Sequence, residues 1–217
     1  WKTDADSLTV NKLGHPYQGS IYYGLARSAG LDFWQSFGYA FAASAVWEIA
    51  GETTPPSRND QITTPVGGTF LGEAFFRVAN LWLEQGSGPA WFRETAAAIV
   101  SPPTAFNRLA FGDRFKGIYP SGNPEFYSRL AFGVSSVTQN DPGTSRKEHR
   151  TEGIVDAAID YGLPGRDGYQ YRRPFDYFSL QVTGSTGVGF ESVMTRGLLF
   201  GTDYGSGDAR YRGIWGL

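Results

Sequence analysis

The hydrophobic pattern of this chain changes its period once, and that change limits the fold more than any other feature. Up to about residue 111, apolar side chains recur at helical spacing; from about residue 124 they alternate with a period of two. In the first part a helix is predicted over 17–28, with Gly30 as its stop. Asp32 suits the N-cap of a second helix reaching about residue 50, whose Ala-rich middle and Gly38 suggest close packing. ETTPPSRND reads as a loop, with Ser57 or Asn59 able to cap the next helix. This third helix is predicted over 60–84, kinked or delayed by Pro65 and Gly67-Gly68. Ser87-Gly88-Pro89 and Ser101-Pro102 each read as a cap followed by proline in the first turn, so two short helices are expected after it.

The second part predicts strands over 126–138, 152–163, 176–184, 192–202 and 209–217. In the first three the alternation is clean. Leu130, Phe132 and Val134 oppose Arg129, Ala131, Gly133 and Ser135. Val155, Ala157, Ile159 and Tyr161 oppose Glu152, Asp156 and Asp160. Phe178, Leu180 and Val182 oppose Tyr177, Ser179, Gln181 and Thr183. The segments between are polar and turn-rich: YGSGD reads as a hairpin turn, and His149 falls in RKEHR, read as a solvated loop.

Such strands suit either a lipid-facing exterior around a wet lumen or a soluble sheet with one face on a core. Arg, Asp, Ser and Gly on the polar face resemble lumen filling, and Tyr and Trp gather near strand ends as interface girdles do. Glycine is 29 of 217 residues and cysteine is absent, which suits a secreted barrel. The expected fold class is therefore α+β: a helical plug or brace over 1–123, then antiparallel strands over 124–217 of an outer-membrane-type β-barrel. Five strands fall short of the usual minimum of about eight, and ARYRGIWGL ends while still reading as a strand, so a longer polypeptide is expected. The opening WKTDADSLTV has no initiator methionine, basic n-region or apolar h-region, so a secretory signal is expected to have been removed or left out. No stretch reaches the ~18 apolar residues of a spanning helix.

HPYQGSIYYGLARSAG and WEIAGETTPPSRNDQITTPVGGTFLGEAFFR, with RRPFDYFSLQVTG and RGLLFGTDYGSG in the second half, resemble a bacterial envelope family known as domain of unknown function 3943. The resemblance runs from about residue 14 to 217. It implies export and an outer-membrane location, with further barrel-like strands beyond the present end. It brings no reaction, so it assigns no catalytic residue.

Ionisable residues concentrate among apolar helices: His15, Arg27, Glu48, Glu52, Asp60, Glu73 and Arg77. Glu48 and Glu52 are four apart and share a face if the helix continues that far. Two carboxylates so placed raise one another's pKa or need a cation between them, which Arg27 or a divalent metal could supply. Glu73 and Arg77 have the spacing of an intrahelical ion pair. A catalytic reading takes His15 as base or ligand, Glu48 or Glu52 as its partner, and Ser20 or Ser57 as nucleophile. The structural reading is a paired, buried network of Arg27, Asp60, Glu73 and Arg77, because buried charge must be compensated whatever its role. No HExxH, GxSxG or GxxxxGK[ST] pattern is present, and two histidines without cysteine argue against a metal site; no cofactor is expected. Gly67-Gly68 and Gly72 read as close packing rather than phosphate binding. Arg172-Arg173 beside Tyr169 and Tyr171 suit either lipid phosphate or a solvated loop. A formal charge of −2 argues against nucleic-acid binding. Outer-membrane lipid is the expected partner, and no protein partner is indicated. Three functions fit these residues: an outer-membrane barrel protein with a structural or channel-like role; an envelope hydrolase of lipid or cell-wall material acting through the His/Glu cluster; and a soluble α+β ligand-binding module.

Overall fold

A computed structural model describes residues 13–52, 56–112, 124–140, 147–205 and 211–217. The chain is α+β and divides into two compact units, Trp1–Asn123 and Pro124–Leu217. The expectations for WKTDADSLTV, for the YGSGD turn beyond Gly205 and for a strand start at residue 209 lie outside the described residues.

The first unit holds α1 (His15–Ser28), α2 (Phe33–Val46), α3 (Asp60–Ile62), α4 (Gly68–Gln85), α5 (Ala90–Val100) and α6 (Pro102–Ala110). Asp32 opens α2 through a reciprocal cap. Its Oδ1 accepts from Gln35 N at 2.8 Å and its own N donates to Gln35 Oε1 at 3.0 Å. The second helix is shorter than expected, giving way to a π-helical turn at Trp47–Gly51. The third breaks where its proline predicted: α3 runs into a π-helical turn at Thr63–Gly67, and only then does α4 begin.

The seam between α1 and the start of α4 is set by glycine. A Cβ on Gly19 would lie 1.8 Å from the Thr64 carbonyl oxygen, and one on Gly68 would lie 2.4 Å from Gly19 Cα. Only hydrogen side chains let these backbones approach so closely. Around the seam α4 buries Leu71, Ala74, Phe76, Val78, Ala79, Leu81 and Leu83.

In the second unit β1 (Phe126–Asn140), β2 (Lys147–Tyr161), β3 (Phe178–Ser185) and β4 (Gly189–Gly197) form an antiparallel meander in sequence order. A second sheet pairs β5 (Gly201–Tyr204) with β6 (Gly213–Gly216). Two expectations are corrected. β2 starts at Lys147, so the KEHR of that segment is extended strand, and the His149 Nδ1 lies 3.0 Å from Thr138 Oγ1 across the β1–β2 pair. The strand expected over 192–202 is two strands in different sheets, because Leu199 N and Phe200 N turn away to donate to the Leu217 carbonyl.

The register puts Leu130, Phe132 and Val134 of β1 beside Ala157, Val155 and Gly153 of β2, and Val182 and Leu180 of β3 beside Ala157 and Ile159. One end of this apolar face is covered: Tyr161 stacks on Phe178 at 4.8 Å, and Phe175 lies 5.7 Å from Phe178. Phe175 holds a left-handed backbone, φ 66°, a strained state for a non-glycine residue, while its ring is wholly buried. Toward the other end Leu130, Phe132 and Val134 are 62%, 75% and 76% exposed.

Candidate functional site: buried polar clusters of the helical unit

Helical spacing places Tyr23 and Arg27 one turn apart on α1, and Glu73 and Arg77 one turn apart on α4. Packing of the two helices brings all four together around one carboxylate. Glu73 Oε2 accepts from the Tyr23 hydroxyl at 2.7 Å and from Arg27 Nε at 2.9 Å; Oε1 accepts from Arg77 Nε at 2.7 Å. Arg27 also donates to the Leu31 carbonyl at 3.0 Å and stacks 4.7 Å from the centre of the Phe76 ring. Glu73 and Tyr23 are fully buried and Arg77 nearly so.

Burial alone would raise the Glu73 pKa, but Arg77 and Arg27 outweigh it and hold the carboxyl below the usual range. Burial pushes the Tyr23 phenol upward, and the neighbouring Glu73 charge pushes it further. For Arg27, burial works against the charged form, but Glu73 more than compensates and raises its pKa. The group is thus a neutral phenol on a carboxylate shared between two guanidiniums.

A second cluster sits where α1 meets the loop before α3. His15 Nε2 lies 3.1 Å from Asp60 Oδ1, which also accepts from Asn59 Nδ2 at 3.3 Å. Ser57 Oγ donates to Asn59 Oδ1 at 2.7 Å, and Ser57 N donates to Glu48 Oε2 at 2.7 Å. His15, Glu48, Ser57 and Asp60 are all buried.

Several expected partners are therefore exchanged. His15 meets Asp60, not Glu48 or Glu52. Arg27 meets Glu73 rather than bridging Glu48 and Glu52. Those two carboxylates do not share a helix face, because the π-helical turn intervenes and Glu52 has extended backbone. Glu48 turns inward to the Ser57 amide, while Glu52 accepts from Trp47 Nε1 at 3.1 Å. The Glu73–Arg77 pair forms as its spacing predicts. Tyr23 was not singled out by the sequence, although its four-residue spacing to Arg27 mirrors that of Glu73 and Arg77 and could have marked it.

Chemically the arrangement binds helices together. A serine nucleophile must give its proton to a base, and the Ser57 hydroxyl gives its proton to an amide oxygen instead; that of Ser20 donates to the Tyr17 carbonyl at 2.6 Å. Among the described residues no group of three His, Asp or Glu side chains is placed to hold a metal ion.

The family described as Domain of unknown function (DUF3943) matches residues 1–103. The match covers α1 to α5 and both buried clusters, and it stops short of the strands. No curated protein and no solved structure matches the chain.

Proposed function

We propose that this is an outer-membrane β-barrel-type envelope protein with a structural or channel-like role, in which the charge-locked helices serve as a brace. The observation that carries this reading is the polarity of the two faces of the β1–β4 sheet. One face sets Leu130, Phe132 and Val134 in the open. On the other, Asp156 accepts from Arg129 of β1 at 2.7 Å and, on β3, from Gln181 at 2.5 Å and Thr183 at 3.0 Å. A sheet in water hides its apolar face, and a barrel wall in lipid exposes it. Satisfying a charged group laterally, strand to strand, suits a lumen wall. β1 and β2 are each 15 residues long, more than the about 9–11 needed to cross a membrane.

The hydrolase reading has less support, since the Ser57 hydroxyl is spent on Asn59. Heat-modifiability of the full chain tests the proposal. The folded protein should enter the detergent phase and migrate faster unboiled than boiled on a gel. A chain that stays in water without detergent and shows one mobility refutes it.

A further inference from the structure

The helical unit has its polarity reversed. Among its described residues, buried polar and charged side chains outnumber buried apolar ones, whereas a water-soluble helical domain shows the opposite. The reversal is sharpest along α2. Its inward stripe is Phe33, Ser36, Ala40 and Ser44, three of them small or hydroxylated. The large side chains point outward: Trp34, Tyr39, Phe41, Val46, Trp47 and Ile49 are 44–69% exposed.

We propose that α2 and its π-helical turn lie in the headgroup–acyl boundary of a phospholipid bilayer, with Trp34, Phe41 and Ile49 toward the acyl chains. Charge points there first. From Phe33 to Gly51 the sequence holds one ionisable acid or base of the Asp, Glu, Lys or Arg type, Glu48, and it is turned inward onto the Ser57 amide. The outward surface therefore carries no carboxylate, ammonium or guanidinium, which complements hydrocarbon. A protein interface is rimmed by polar groups instead. The charges resume at either end, at exposed Asp32 and half-buried Glu52, where water would be. Trp47 points its ring nitrogen at Glu52, the behaviour of an aromatic with one wet end.

Size points the same way. The four half-exposed aromatic rings alone leave on the order of 400 Å² uncovered, taking ~150–250 Å² per aromatic side chain, and the still more exposed Val46 and Ile49 enlarge this into a patch of the size that marks an interaction surface. Length then fixes the orientation. The 14 residues of α2 and the five of its π-helical turn rise at most about 28 Å, just under the ~30 Å of a hydrocarbon core. The inward stripe stays buried in the protein, and no helix among the described residues is long and apolar enough to cross a membrane. A charge-free face on a helix too short to span belongs in the plane of the interface. None of these observations involves the strands, so α2 takes this position whether or not they close a barrel.

The chain has no cysteine, so single labels are clean. Ala42→Cys and Ile49→Cys, each carrying a bimane fluorophore in the full chain, are mixed with phosphatidylcholine vesicles brominated at mid-acyl chain; exposed Arg58→Cys serves as the comparison. Bromolipid should quench the labels at 42 and 49, shield them from aqueous iodide, and leave the label at 58 open to iodide. Gly38→Asp adds a charge where a Cβ meets nothing within 4 Å, so the fold is kept. It should weaken bromolipid quenching at 42 about tenfold or more, because a carboxylate on so short a stem cannot reach back to the headgroups and its burial against acyl chains is costly. Labels shielded from iodide but untouched by bromolipid mean that protein covers α2, a second copy or the strand unit, and overturn the proposal. So do labels still open to iodide with vesicles present.

Discussion

Replacing Glu73 with glutamine is the most informative single change in the helical unit. The side chain keeps its size, but one buried carboxylate that accepts from Tyr23, Arg27 and Arg77 becomes a neutral amide. Two guanidiniums, both largely buried, then face each other without the negative charge between them. Removing one partner of a buried ion pair costs about 3–5 kcal/mol, since the remaining charge stays desolvated. At about 1.4 kcal/mol per decade, amide exchange in α1 and α4 should quicken by about 10²- to 10⁴-fold. Hydrogen–deuterium exchange read peptide by peptide measures this without assuming that both units unfold together. Adding Arg77→Met to Glu73→Gln removes one of the two cations and should restore part of the protection. The sign with pH follows from linkage. The folded Glu73 pKa is depressed, so its contribution is complete above the ordinary carboxylate value of about 4.3 and is lost as pH falls through the folded value. Wild type should therefore lose protection in α1 and α4 at acid pH, and Glu73→Gln should lack that part of the loss. Exchange within about fivefold of wild type, roughly 1 kcal/mol, would refute the idea that this carboxylate locks the two helices.

Tyr23→Phe should cost about 1.5–3 kcal/mol, the worth of a hydrogen bond to a charged acceptor. Because the folded phenol is raised, wild type should also weaken as pH climbs past about 10, an alkaline loss that Tyr23→Phe lacks; thermal melts across pH read both. Gly19→Ala places a methyl 1.8 Å from a backbone oxygen, so it should cost about 3 kcal/mol and quicken exchange in α1 and the Thr63–Gly67 turn first. Asp32→Ala removes one cap and should cost about 1 kcal/mol, with faster exchange confined to the start of α2.

The local signals were well written in the sequence. Asp32 announced its helix start, Pro65 its break, and alternation in 126–138, 152–163 and 176–184 gave the faces of β1, β2 and β3. Each depends on neighbours a few residues away. The pairings that were illegible join distant positions: Arg27 with Glu73 and His15 with Asp60 form only when helices pack, and spacing along one helix says nothing about the next. Glu48 and Glu52 misled because a π-helical turn shifts the face presented by each later residue, and no residue type in WEIAG signals one. The split of 192–202 depends on the Leu217 carbonyl, also remote. The reversed polarity of α2 was readable only halfway. Its apolar richness is plain, but which side faces in is decided by what packs against Ser36, Ala40 and Ser44.

The barrel reading turns on which solvent meets each face of β1. Spin labels placed one at a time from Leu130 to Val134, in the full chain refolded with phospholipid vesicles, read this by relaxation with oxygen, which concentrates in lipid, and with a nickel chelate, which stays in water. The prediction is alternation, with oxygen dominant at Leu130, Phe132 and Val134 and nickel dominant at Ala131 and Gly133. Nickel dominant at Leu130, Phe132 and Val134, or neither reagent reaching them, would contradict it.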